Sequence, residues 1–422
     1  MTITLVVIVL ILLALFGMPL FTVLGGIALV LFMSADIDIS AVAVSMYTLA
    51  GSPLLVAIPL FTFAGYLFAH SKAPERLVNL SRALFPGGLA VVALASCAVF
   101  TAFTGASGVT IIAMGGLLLP ALTMDGYDRK FNLGLLTAGG SLGLLFPPSL
   151  PLILYGYVAG VSIDKLFRAG LLPGVFLVLV LSAYGIWRGR KDGVKAQRIS
   201  PREGLKALKA AAWEVPLPIL VLGGIYSGVI TVMEAAALTA GYVLVVEVFI
   251  YKDVKLRDVP GIVGESMTLV GGILIILACA LGLTNYLVDA EVPMVLLDWM
   301  QQYIDSKYTF LLLLNIFLLV VGCLMDIFSA LIVVVPLIVP VALGFGVDPV
   351  HLGIIFLTNL EIGFITPPVG LNLFISSYRF REPVVKLYAA SVPFLLLLLA
   401  ALLVITYFPA ISLFLVNLGS GG

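Results

Sequence analysis

Two polar runs interrupt long apolar sequence at places where ionic chemistry could be done. One is Phe103-Thr104-Gly105-Ala106-Ser107-Gly108-Val109-Thr110; the other is Gly322-Cys323-Leu324-Met325-Asp326-Ile327-Phe328-Ser329. Each is flanked on both sides by about 15 apolar residues, short of the roughly 20 that one helical crossing of a bilayer needs. The hydroxyls of Thr104, Ser107, Thr110 and Ser329, the Asp326 carboxylate, and loosened carbonyls near Gly105 and Gly322 are hard oxygen donors. Such a set suits a hard cation and no soft metal. Asp326 has a second reading, as the cap of a half-helix amino end.

The chain breaks again after each run, at Gly143-Leu144-Leu145-Phe146-Pro147-Pro148-Ser149 and at Gly363-Phe364-Ile365-Thr366-Pro367-Pro368-Val369-Gly370. Paired prolines remove two backbone donors and push the preceding residue out of helical geometry. Oxygens around Gly143, Pro147, Gly363, Thr366 and Pro367 can then join those of the polar runs, with sodium the natural occupant. Half-helix amino ends facing the same space favour an anionic group. A kinked helix is the alternative reading of one proline pair; two pairs, each following a polar run, favour a site. Ser141, Ser149, Thr358, Asn359, Glu361 and Asn372 flank the breaks; Ser141 joins the cation donors, and the other five are candidates for touching an anionic organic ligand. Glu361 can equally be a helix-end carboxylate paired to a neighbour. Asn285 reads as an interhelical hydrogen bond.

These residues need elements that hold them in an apolar medium. Of 422 residues, 62% are hydrophobic and 10% charged, with a formal net charge of zero. About ten long apolar stretches separated by short polar joints describe an all-α polytopic membrane protein. The charge balance gives no footprint for nucleic acid. Cys97, Cys279 and Cys323 lie unpaired in apolar runs and read as buried thiols. Two histidines are too few for a clustered metal site or a Ser-His-Asp arrangement, and no phosphate loop is present, so no catalytic residues and no cofactor are expected. The opening segment, without a positive leader region or small-residue cleavage site, is expected to be retained.

Charge placement orders the elements. Residues 188 to 209 hold eight Lys or Arg against Asp192 and Glu203, a balance of +6. The positive-inside rule makes this a cytoplasmic linker. Residues 72 to 82 and 379 to 386 each carry +2, whereas 36 to 38 carry −2 and 289 to 307 carry −3. Sliding the sequence by 220 positions brings Pro120 to Pro340, Pro147 and Pro148 to Pro367 and Pro368, Pro173 to Pro393, Gly143 to Gly363 and Tyr66 to Tyr286. Composition alone would align about 0.6 proline pairs over roughly 200 positions. The expected organisation is a first repeat over 1–187, a basic linker over 188–212 and a second repeat over 213–422. Each repeat has scaffold helices, a re-entrant hairpin (87–122 and 308–343) and a broken helix (131–160 and 350–377). Opposite charge signs at matching joints make the repeats inverted, as in many secondary transporters whose binding sites lie at broken helices near mid-membrane. Repeats can also persist as a packing solution only.

The sequence resembles the large membrane (M, DctM-type) subunit of the tripartite ATP-independent periplasmic (TRAP) transporters over essentially its whole length. The matching features are Gly17-Met18-Pro19, the Gly-Ala-Ser-Gly tip, Phe-Pro-Pro-Ser-Leu-Pro at 146 to 151, and Asp348-Pro349-Val350-His351-Leu352-Gly353 leading to Thr366-Pro367-Pro368-Val369-Gly370. Many relatives carry a more serine-rich first tip. The resemblance implies an elevator-type sodium symporter of the ion-transporter superfamily in the bacterial inner membrane. It implies three partners: an organic-acid substrate, a periplasmic substrate-binding protein, and a small four-helix membrane subunit on a separate chain. By analogy the first tip with the Ser141 to Pro147 break forms one sodium site and the second tip with the Gly363 to Pro367 break another, with substrate between them. The alternatives are a self-sufficient sodium/anion symporter needing no binding protein and, from other classes, an intramembrane enzyme or a channel. Missing catalytic groups disfavour the enzyme; two plugging hairpins disfavour an open pore.

Overall fold

The computed structural model describes residues 2–15, 17–84, 88–194 and 201–419. Gly87 of the expected first hairpin and residues 195–200 of the basic linker lie outside them. Among the described residues every regular element is helical. The chain runs through α1 (Thr2–Leu15), α2 (Leu20–Ser34), α3 (Ser40–Ala50), α4 (Ala57–His70) and the amphipathic α5 (Ala73–Leu84) into a helical hairpin, α6 (Leu89–Thr104) and α7 (Ser107–Met124). A broken span follows, α8 (Arg129–Gly139), a 3-10 turn over Leu142–Leu145 and α9 (Leu150–Ala159), bent by 47°. Then come α10 (Ile163–Lys191), α11 (Pro201–Ala210), α12 (Pro216–Tyr226), α13 (Val232–Leu244), α14 (Val259–Asp289) and α15 (Val292–Gln301). A second hairpin, α16 (Lys307–Leu324) and α17 (Ile327–Gly344), precedes a second interrupted element, α18 (Pro349–Gly363) and α19 (Leu371–Phe380), and α20 (Val384–Tyr407) and α21 (Ala410–Gly419) end the described chain.

Eight of these segments are long and apolar enough to cross a membrane, or nine if the bent pair counts as one span. That is fewer than the ten apolar stretches, because α2, α6 and α18 are apolar but shorter than a full crossing. The outward surface is itself apolar: Leu5, Ile219 and Leu396 are each more than 60% exposed. Water does not cover such a face cheaply, and lipid does. The chain is a multi-pass membrane protein.

Helix boundaries follow from local chemistry and recur at one spacing. Asp128 accepts from Phe131 N and begins α8; Asp348 accepts from Val350 N and His351 N and begins α18. Short side-chain oxygens at that position satisfy otherwise orphan amides. The two caps are 220 residues apart, as are the ends of α6 and α16, the starts of α7 and α17, and the internal prolines Pro120 and Pro340. The halves also interlock: α7 packs on α19, and its counterpart α17 packs on α9. A second group, α2, α3, α4, α13 and α14, packs mainly on itself and borders the hairpins through α4 and α14.

Candidate functional site

Each hairpin tip is pressed against a break through a glycine. A Cβ added to Gly363 would stand 2.6 Å from Gly322 Cα and 2.9 Å from Cys323 N; one added to Gly143 would stand 2.6 Å from Ala102 N and closer still to Ala98 O. Only a residue without a side chain permits backbone approach this close. Both breaks carry a cis Pro-Pro peptide, Pro147-Pro148 and Pro367-Pro368. The first tip is tighter than the sequence reading: only Gly105 and Ala106 lie outside helix, with Gly105 in the left-handed region at φ +65°, so Thr104, Ser107 and Thr110 occupy the flanking turns.

At the first tip the oxygens converge on a residue that the sequence reading passed over. Thr101 Oγ1 lies 2.7 Å from Thr110 Oγ1, donates to Gly140 O at 2.9 Å, and is 2.8 Å from Cys97 O. It thus joins both arms of the hairpin to the end of α8. Thr104 Oγ1 is 3.5 Å from Thr110 Oγ1, and all three threonines are fully buried. Thr101 sits one turn before Thr104, and helical periodicity puts both on one face, which is the signal that could have found it. Gly143 O receives Phe146 N, and its counterpart Gly363 O receives Thr366 N. Each carbonyl keeps a second lone pair for a cation.

At the second tip Asp326 caps α17. Its Oδ1 accepts from Phe328 N and Ser329 N at 3.0 Å each, and its Oδ2 takes the Ser329 hydroxyl. Gly370 N donates to Cys323 O at 3.0 Å, stitching the break to the tip, while Thr366 Oγ1 donates back to Ile362 O.

Repeat-equivalent positions meet between the halves: Ser141 Oγ lies 3.5 Å from Glu361 O. The remaining polar candidates are all buried. Ser149 donates to Leu144 O, Thr358 to Ile354 O, and Asn372 to Thr137 O across the halves. Asn359 donates to Asn315, which joins Thr406. Both carboxylate oxygens of Glu361, and Oδ1 of Asn359 and Asn372, have no hydrogen-bond partner among the described residues. Buried oxygens of this kind are where an incoming donor or cation gains most. At the rim Glu382 receives Lys386 Nζ at 3.0 Å and Arg129 Nε at 2.9 Å, and these bonds hold its carboxyl below the usual carboxylate range.

The family model described as "Tripartite ATP-independent periplasmic transporter, DctM component" matches residues 6–411. The C4-dicarboxylate TRAP transporter large permease protein DctM of Rhodobacter capsulatus is 37% identical, with 97% of each chain covered. Its namesake in Pseudomonas aeruginosa is 36% identical, with 93% of each covered. The isethionate TRAP transporter permease protein DctMQ of Oleidesulfovibrio alaskensis is 36% identical over 94% of this chain and 64% of its own. The crystal structure of the Alcanivorax borkumensis YdaH transporter superposes with a TM-score of 0.61 at 16% identity, covering 86% of this chain and 87% of that one, a likeness of fold. The chain therefore belongs to the DctM component family of the tripartite ATP-independent periplasmic transporters, a family of membrane permeases and not of enzymes.

Proposed function

We propose that this chain is the translocating subunit of a sodium-coupled importer of an organic acid in the inner membrane, fed by a periplasmic substrate-binding protein and assembled with a small membrane subunit. One observation carries the reading: two helical hairpins, alike at a spacing of 220 residues, each close a polar tip onto a proline-broken helix through a glycine contact. Inverted repeats with broken helices are a recurrent design of secondary carriers. The tips supply hydroxyl, carboxylate and carbonyl oxygens for sodium, and the half-helix amino ends, such as that of α9 at Ser149, favour the acid's negative charge. The hairpins and broken helices move together as an elevator past α2, α3, α4, α13 and α14, which stay in place. The relatives' names support an anionic substrate, a C4-dicarboxylate in two and isethionate in a third. This chain covers 64% of the DctMQ relative, which leaves that protein room for a fused second subunit.

The test is uptake into proteoliposomes holding this chain and its small subunit. A sodium gradient with loaded binding protein is expected to drive uptake of one organic acid, and removal of either sodium or binding protein to abolish it. Robust uptake of free acid by this chain alone would favour a self-sufficient symporter.

A further inference from the structure

Among the described residues outside the hairpins, the cation with the most carboxylate partners is Arg76 on α5. The guanidinium reaches three carboxylates: Nε meets Glu214, Nη1 meets Asp253, and Nη2 meets both oxygens of Glu247 at 3.0 and 2.9 Å. The Tyr251 ring lies 3.9 Å from the guanidinium carbon, and its hydroxyl donates to Ala210 O at 2.7 Å and lies 3.1 Å from Glu214 Oε2. Lys72 N donates to Asp253 as well. The Glu247 side chain is fully buried, Glu214 is 3% exposed and Arg76 only 12%.

The three acids come from separate segments, a turn before α12, a π-helical turn over Val245–Ile250 and the loop after it. The π-turn rotates Glu247 inward, a distortion found mostly where a residue has a task. Arginine suits the position because its planar fork serves several acceptors at once, which lysine cannot do. One cation against three carboxylates, two of them buried, is a poor arrangement for fold stability alone, since desolvation of ion pairs offsets much of their attraction. It is a strong arrangement for fixing one helix to three segments.

The helix being fixed is the one that joins two bodies. α5 begins directly after α4, on the side we assign to the scaffold, and is followed in sequence by α6, the first arm of the first hairpin. α5 packs on α11 and α4 as well as on α6. We propose that Arg76 is a positioning residue that anchors α5 through Glu214, Glu247 and Asp253 to the segments before α12 and between α13 and α14, so that the hairpin moves while α5 stays with α4 and α11 on the scaffold side, where α12 packs on α13. The inference rests on the elevator reading, and its test separates the two.

Lys72 and Lys252 are both exposed and flank the Lys72–Asp253 hydrogen bond, whereas Val99 on α6 and Pro218 on α12 line one apolar crevice between hairpin and scaffold. The native cysteines are buried. A soluble bis-maleimide applied after membrane insertion to K72C/K252C is expected to leave uptake within about twofold of the untreated level, and applied to V99C/P218C to cut it at least about tenfold. A tenfold loss on linking 72 to 252 would overturn the anchor. Uptake surviving both cross-links would instead remove the moving-hairpin reading beneath it. In R76Q, uptake is expected to fall about tenfold with unchanged sodium half-saturation and to recover when the 72–252 cross-link replaces the ionic tether. Where R76Q inserts poorly because three carboxylates lose their cation, R76Q/E247Q carries the same test. A loss that the cross-link does not restore in an inserted variant would sink the proposal.

Discussion

Gly363 and Gly322 touch backbone to backbone: a Cβ on the first would lie 2.5 Å from the carbonyl carbon of the second. The repeat-equivalent pair, Gly143 and Ala102, makes the same approach, with the Ala102 amide nitrogen 2.6 Å from where a Cβ on Gly143 would stand. Each hairpin thus sits on its broken helix through a spot where one methyl is too much. Gly363→Ala and Gly143→Ala are expected to destabilise the purified protein by about 1–3 kcal/mol and to depress uptake. Gly223→Ala on α12, where nothing lies within 4 Å, is the control and should not lower the melting temperature. Equal melting of Gly363→Ala and Gly223→Ala in detergent would refute the contact.

Asp326 already spends its oxygens on the start of α17. Asn caps helices about as well as Asp, so Asp326→Asn should keep stability within a few tenths of a kcal/mol while Asp326→Ala loses about 1. A sodium role adds a second effect, because a carboxylate both coordinates and neutralises an ion in a poorly solvated place. Asp326→Asn should then need about tenfold more sodium for half-maximal uptake, and Ser107→Ala a smaller increase in the same direction. An unchanged half-saturation in Asp326→Asn would leave the capping role alone.

Thr101 ties Thr110 and Gly140 O together at the first hairpin tip. Thr101→Val keeps the shape but strands those partners, at a cost of about 1–3 kcal/mol for a buried group left unpaired. Thr101→Ser should recover most of the loss. Melting curves of the three proteins decide it: Val indistinguishable from Thr would mean the oxygens are satisfied otherwise.

The charge asymmetry predicts an orientation. Lys206→Cys, exposed on α11, should resist an impermeant maleimide in intact cells, whereas Gln302→Cys, exposed after α15, should react. Labelling with the reverse pattern would invert the topology.

Much of this molecule was legible in one dimension. Apolar length marked the spans, Pro147-Pro148 and Pro367-Pro368 marked the breaks, and the 220-residue spacing tied the two halves, because each is a property of residues near one another or of a repeated order. Asp326 as a cap was equally local, since its partners are the amides two and three residues on. The fold alone decided the rest. That Thr101 outranks Thr104 in linking the first tip depends on Gly140, 39 residues away; that Arg76 is held by Glu214, Glu247 and Asp253 depends on contacts across 138 to 177 residues. That Glu361 ends fully buried, with neither oxygen bonded among the described residues, depends on how α18 is wrapped by both halves. Periodicity reports which face of a helix is apolar, but not which distant segment will cover it, and a side chain's partner is set by that covering.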